Sequence, residues 1–502
     1  MDILGGLYLG MTVAMDPWNL VFCLAGCLIG TLVGVLPGLG PTATIAILLP
    51  ATFSMPPVTG LITLAGIYYG AQYGGSITSI LLRLPGEASS VVTVIDGHAM
   101  TRNGRGGAAL AISAWGSFVA GTIATAFIAL LAPVVINLVI GFGAAEYFML
   151  MVVGLIACVV LANGSIARAV AMILLGLLLG MVGTDVNRGV LRFNFGFNEL
   201  AEGIPFVPVV VGLFGIAEIL VVLERAARGQ STVATISPVS SLWPTRREVR
   251  QAAPAVLRGT GIGLILGMLP GGGALLASFV AYAAEKKLSR NPERFGKGAV
   301  EGVAAPESAN NAGAQTAFIP LLTLGLPTNA IMALIIGTMM IHGVNPGPRV
   351  ISTQPQLFWG VVVSMWIGNV MLLIINLPMV RLWVQLLKIP YHVLYPIILA
   401  MSIIGVYSVN YRAFDVYAAL LFAFFGYALN KWRCEAAPFV LAFILGPMME
   451  EYFRRTLLLS DGDFTVFVTR PVSLALSIVA VGLLAIVVLP GIKTLRRTAF
   501  AE

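Results

Sequence analysis

No lysine or arginine occurs before Arg83, and the chain up to that point is a nearly unbroken series of apolar, glycine-rich stretches. Similar stretches recur to the C-terminus, several of them near the ~20 residues a helix needs to cross a bilayer. A water-soluble domain could not hide them. Of 502 residues 58% are hydrophobic and only 10% charged, against roughly 25% charged in an average soluble chain. Roughly half the surface of a soluble fold must stay polar. The chain therefore reads as an all-α polytopic membrane protein.

The net charge of +7 fits basic residues marking cytoplasmic loops rather than nucleic-acid binding. Cys23, Cys27, Cys158 and Cys434 lie in or beside apolar stretches and give neither a disulfide framework nor a metal spacing. Without a positive n-region no cleaved signal is expected. His98, His342 and His392 stand far apart and form no HExxH. Gly296-Lys297-Gly298 lacks the rest of a phosphate-binding loop, and no GxSxG occurs. Nothing here points to an enzyme, a structural metal or an organic cofactor.

An internal repeat organises the chain. Gly30-Thr31-Leu32-Val33-Gly34-Val35-Leu36-Pro37-Gly38-Leu39-Gly40 returns as Gly263-Leu264-Ile265-Leu266-Gly267-Met268-Leu269-Pro270-Gly271-Gly272-Gly273. Gly70-Ala71-Gln72 returns as Gly313-Ala314-Gln315, and Pro205-Phe206-Val207 as Pro438-Phe439-Val440. This gives a first membrane repeat over 1–225, a cytoplasmic linker over 226–254 and a second repeat over 255–460. A C-terminal helix and tail follow over 461–502.

Basic segments flank 259–285, whose two arms are too short to cross singly, so it reads as a re-entrant hairpin opening to the cytoplasm. Its counterpart, about 18–55, has no basic flank and should open outward. Walking the spans between them gives five crossings in the first half, an odd number, so the second half is inverted. The N-terminus is expected outside and the C-terminus inside, with most of the 29 Lys and Arg in the cytoplasm.

Inverted repeats with interrupted helices are the sequence pointer to secondary transporters. An interruption leaves N–H and C=O groups that hydrocarbon cannot satisfy, so they must face protein, water or a ligand. The expected breaks are the hairpin tips, Pro37-Gly38-Leu39-Gly40-Pro41-Thr42 and Pro270-Gly271-Gly272-Gly273, and two polar patches, Gly70–Ser79 and Glu307–Thr316. Candidate substrate-binding residues are Pro37, Gly38, Gly40, Pro41, Thr42, Gln72, Tyr73, Gly74, Gly75, Ser76, Gly271, Gly272, Gly273, Asn310, Asn311, Gln315, Thr328 and Asn329. Gly38, Thr78, Gly272, Asn310 and Gly313 are candidates for a cation. The plainer alternatives are tight turns and close packing for the glycines, and interhelical hydrogen-bonding for the amides. Glu301 and Glu307 read equally well as solvated loop carboxylates.

Val35–Thr42, Tyr69–Ser76 and Ala305–Ala312 resemble motifs of the large membrane subunit of bacterial tripartite tricarboxylate transporters. Leu324-Gly325-Leu326-Pro327-Thr328 and His342–Pro348 are similar to that family too. The resemblance covers nearly the whole chain. It implies Na⁺- or H⁺-coupled uptake of carboxylates such as citrate across the inner membrane. It also implies a small four-helix membrane subunit and a periplasmic solute-binding protein as partners. A homo-oligomer stays open, as do an anion channel and a carrier of some other solute. The near absence of ionisable residues within the spans argues against a channel.

Overall fold

The computed structural model describes residues 2–36, 40–139, 141–161, 165–185, 188–228, 242–269, 273–386 and 391–488. The described chain is almost entirely helical, its one sheet a two-stranded pairing of Gly183–Thr184 with Leu191–Arg192. Six helices among the described residues are long and apolar enough to cross a membrane. In chain order the first half comprises α1 (Ile3–Ala14), α2 (Pro17–Val35), α3 (Pro41–Thr52), α4 (Pro57–Leu82), α5 (Thr93–Arg102), α6 (Gly106–Val139), α7 (Ala144–Leu161) and α8 (Ile166–Gly180). It ends on α9 (Phe206–Val210), which passes through a π-helical turn, Val211–Ile216, into α10 (Ala217–Ala227). The second half comprises α11 (Arg246–Leu266), α12 (Gly273–Leu288), α13 (Glu301–Thr316), α14 (Phe318–Leu324), α15 (Ala330–Ile341), α16 (Val350–Thr353), α17 (Pro355–Asn376), α18 (Val380–Leu386), α19 (Tyr391–Asn410), α20 (Ala413–Lys431) and α21 (Ala436–Leu459). Two further helices, α22 (Val466–Thr469) and α23 (Pro471–Val488), complete the described chain.

Local chemistry sets the helix starts. Asp2 accepts the Gly5 N–H, and Asp16 accepts those of Trp18 and Asn19 ahead of Pro17. These caps satisfy donors that would otherwise have no partner. Proline opens α3 and α4, where its missing N–H costs nothing. Helix α1, too short to span, was not anticipated. Helix α11 begins at Arg246, inside the segment read as linker, through a Thr245/Glu248 capping box.

The core is built by backbone-on-backbone packing. A Cβ on Gly26, Gly30 or Gly34 of α2 would stand 2.4, 2.2 or 2.4 Å from the carbonyl oxygens of Thr63, Ile67 and Ala71 on α4. A Cβ on Gly259 or Gly263 of α11, or on its C-cap Gly267, would stand 2.3, 2.4 or 2.4 Å from the carbonyl oxygens of Ala305, Ala309 and Gly313 on α13. Two helices, α2 and α11, thus press glycine stripes of the same spacing against α4 and α13. Small residues allow this approach where lipid supplies no hydrophobic drive between helices.

That packing corrects one expectation. Helices α4 and α13 run unbroken through Gly70–Ser79 and Glu307–Thr316. Gly70 and Gly74 instead face the Cys27 and Thr31 carbonyls of α2, at 2.5 and 2.3 Å from a built Cβ. A helical glycine costs up to about 1 kcal/mol, and the contact offsets it. The chain does leave the helix after α14, where Gly325 adopts φ +70° and Leu326 N–H returns to the Pro320 carbonyl.

A separate apolar cluster joins α7, α8 and α21 through Met151, Leu155, Ala169, Ile173, Leu441 and Leu445. Arg470 clamps the buried Glu146 of α7 at 3.0 Å. At the opposite junction Asp96 of α5 is fully buried. Its Oδ1 accepts the N–H groups of Gly296, Gly298 and Ala299 at 2.9, 2.8 and 2.8 Å, and its Oδ2 the Tyr282 hydroxyl at 2.9 Å. One carboxylate on α5 therefore ties α12 to the loop before α13.

Candidate functional site

A cavity of about 580 Å³ opens where the helices start. Its wall holds Gly40, Pro41 and Thr42 at the beginning of α3, and Gly273, Ala274 and Leu275 at the beginning of α12. Asn329, Ala330 and Ile331 open α15 there, and Ala436 and Ala437 open α21. The first N–H groups of a helix have no intrahelical acceptor, and its dipole places partial positive charge at that end. Asn329 spends its side-chain oxygen on the Met332 N–H at 2.9 Å. Leu213, Phe214, Ala217, Glu218 and Val221, in and beyond the π turn, close the far side with α20.

Polar side chains complete the near side. Tyr68 and Gln72 of α4 and the Glu87-Ala88-Ser89 turn line the space. Glu87 Oε1 accepts from the Ser89 hydroxyl and, at 3.2 Å, from the Asn310 amide. Ser89 Oγ also lies 2.9 Å from Gln72 Oε1. Gly75 makes room for the glutamate, since a Cβ there would fall 2.7 Å from Glu87 Cγ. The lining includes three carboxylates, Glu87, Glu218 and Glu435, and no lysine, arginine or histidine among the described residues. Nor do any three His, Cys, Asp or Glu side chains among them group as metal ligands.

Six of the expected site residues meet at this cavity: Gly40, Pro41, Thr42, Gln72, Gly273 and Asn329. Pro37, Gly38, Gly271 and Gly272 lie outside the described residues. Asn310 sits one hydrogen bond behind the wall, on Glu87. Asn311 turns to α6, donating to Ser117 Oγ at 2.7 Å and to the Glu307 carbonyl at 3.0 Å. Gln315 also faces α6, accepting from Thr125 at 2.8 Å. Tyr73 donates to Asn369 of α17 at 2.7 Å. Gly74 is a packing contact, and Thr78 bonds back to the Gly75 carbonyl at 3.0 Å. Ser76 donates to Glu307, and Gly313 backs onto Ala274. Thr328, beside Asn329, is buried with no hydrogen-bond partner for its hydroxyl.

Glu307 is no solvated loop residue. It is wholly buried on α13, accepting from Ser76 at 2.5 Å, from Ser113 at 3.2 Å and from Thr93. Burial of its charge is tolerable only because three hydroxyls take the place of water. Tyr68, Glu87, Ser89, Glu218 and Glu435 were not anticipated. The Glu87 turn lies between Arg83 and Arg102, basic residues of the kind that mark cytoplasmic loops. Its one local signal is the company of small residues, Gly86-Glu87-Ala88-Ser89-Ser90, that permit close burial.

The fold and its cavity define a polytopic helical membrane protein with an open cavity lined in part by helix N-termini. The model of the tripartite tricarboxylate transporter TctA family matches residues 20–441, and the chain belongs to that family of transporters. It is 53% identical over 504 residues to an uncharacterized 52.8 kDa protein in the TAR-I ttuC' 3' region of Agrobacterium vitis, covering 100% of this chain and 99% of that one. An uncharacterized protein in the TAR-II ttuC' 3' region of the same organism is 53% identical over 242 residues, 48% of this chain and 99% of the relative. No solved structure matches.

Proposed function

We propose that the chain is the permease of a binding-protein-dependent, cation-coupled importer of tricarboxylates or related carboxylates. The observation that carries this reading is the convergence of four helix starts on one cavity. Such ends attract carboxylate groups, as at the midplane sites of secondary transporters. The matched glycine stripes of α2 on α4 and α11 on α13 support a duplicated architecture. In this reading the two halves are inverted, and α2–α3 and α11–α12 are re-entrant hairpins opening to opposite sides of the inner membrane. The N-terminus is periplasmic and the C-terminus cytoplasmic. The partners are a small membrane subunit and a periplasmic solute-binding protein.

Coupling follows from charge. Moving one charge against 100 mV costs about 2.3 kcal/mol, so a trianion entering a negative cell faces roughly 7 kcal/mol. The acidic lining adds to that cost. Co-transported Na⁺ or H⁺ cancels both.

Counterflow in proteoliposomes holding the purified chain tests the proposal. Preloaded citrate should accelerate entry of labelled citrate. Electrodiffusive current without exchange would make the chain a channel. Exchange of no carboxylate, with binding protein and small subunit supplied, would sink the reading.

A further inference from the structure

Asn310 is fully buried, and its two terminal atoms are treated unequally. Nδ2 donates to Glu87 Oε1 at 3.2 Å, whereas Oδ1 has no partner. An orphaned buried acceptor costs about 1–3 kcal/mol. Here it belongs to a side chain already directed at a buried carboxylate on the cavity wall. Around the same point stand Ser89 Oγ and Gln72 Oε1, themselves buried. The cluster is rich in oxygen and, among the described residues, has no basic side chain on the cavity wall beside it.

We infer that Glu87 and Asn310, with Ser89 and Gln72, form a binding site for a co-transported monovalent metal cation of the Na⁺ class. The inference rests on the carrier reading above and gives its coupling ion a location. Na⁺ is a hard cation that prefers carboxylate, amide and hydroxyl oxygens. A half-turn of the Asn310 amide exchanges Nδ2 and Oδ1. With the amide nitrogen facing the carboxylate, Oδ1 is left without a partner. With a cation bound, Oδ1 turns inward and both oxygens share the ion. The ion would then lie between the carboxylate and an anion held at the helix starts of α3, α12 and α15. Its charge would offset the repulsion between Glu87 and that anion, so each ligand would strengthen the other's binding.

The test uses the full chain in nanodiscs, with radiolabelled Na⁺ binding and thermal unfolding in NaCl against choline chloride at fixed pH and ionic strength. The wild type should show saturable Na⁺ binding and a matching upward shift in Tm. Glu87→Gln should abolish both. Asn310→Leu should raise half-saturating Na⁺ about tenfold, the loss of one good oxygen ligand to a charge, and it keeps the test open should Glu87→Gln not fold. Asn311→Ala, whose amide faces α6, should leave the Na⁺ response unchanged. Na⁺ binding that survives intact in Glu87→Gln or Asn310→Leu overturns the inference. So does a wild-type response to pH alone, which would make the coupled ion a proton. Citrate binding by the same wild-type sample at saturating Na⁺ separates the two claims. Citrate binding without a Na⁺ response at this site defeats the inference only, whereas no carboxylate binding at any Na⁺ concentration defeats the carrier reading.

Discussion

Glu87 and Glu307 are both buried glutamates, one bonded to Asn310 of α13 and the other on α13 itself, and they are buried in different settings. Glu307 takes hydroxyl donors from α4, α5 and α6, so that four helices meet on one carboxylate. Glu87 takes two donors from its own turn, the Ser89 hydroxyl and the Ser90 N–H, and one from Asn310, and it also lines the cavity. A saturated buried carboxylate fixes structure; one left open to a chamber keeps capacity for a ligand. The same residue type on similar small-residue backbones is thus a bolt in one place and, in the proposal above, a receptor in the other.

The sharpest attempt to break this contrast is Glu307→Ala. It leaves three buried hydroxyls without their acceptor, and the expected loss is about 3 kcal/mol or more. Size-exclusion profiles and Tm in detergent would record it, and a wild-type Tm would remove the structural half of the contrast. Next come Gly30→Leu and Gly263→Leu, which push side chains into facing carbonyls on α4 and α13. Each should cost roughly 1–3 kcal/mol, and the two costs should match. A large loss in one and none in the other would mean that the stripes are not equivalent.

Glu87→Gln should cost stability about 1 kcal/mol or less while uptake of labelled citrate falls about tenfold. A mutant that melts early but transports at the wild-type rate per folded molecule would place Glu87 with Glu307. The smallest effect serves as a baseline at a partly exposed pair. Burial pushes the Glu248 carboxyl up, but hydrogen bonds from Arg105 and Thr245 outweigh it and hold it below the usual range. A depressed carboxyl stabilises the fold above its ordinary value, near about 4.3, and loses that contribution as pH falls through the folded value. Arg105→Gln should therefore lower stability by about 0.5 kcal/mol near neutrality. Thermal melts in acid should show that gap closing.

The sequence made the starts of α3 and α12 legible because proline and glycine punctuate the chain there. The stretch 18–55 contains α2 and α3, and Gly40, Pro41, Thr42 and Gly273 line the cavity. What remained hidden was helical phase. Asn310 and Asn311 differ by about 100° around α13, enough to send one to Glu87 and the other to Ser117. A helix buried on all sides has no polar face from which that phase could be read. Glycine was ambiguous for a related reason, since it serves both a break and a close contact. In α4 the backbone of α2 decides for contact, but that neighbour is distant in any pattern of short spacing. Glu87 was concealed by its flanking arginines, which mark a loop by charge yet say nothing of how deeply the loop folds back.

The π-helical turn at Val211–Ile216 bears on how such a chamber can change over generations. It holds one residue more than an α-helical turn would, so the segments before and after it are out of phase by about 100°. Gly212 meets the Ala419 carbonyl at 2.3 Å from a built Cβ, and Gly215 meets Ile47 at 2.8 Å, so both neighbours pin the turn. Loss of a single residue here would restore regular winding and swing Glu218 and Val221 from the cavity wall, while the helix axis stayed in its place. A one-codon deletion would thus act as a rotation, replacing the far wall's chemistry without altering any side chain that now lines it.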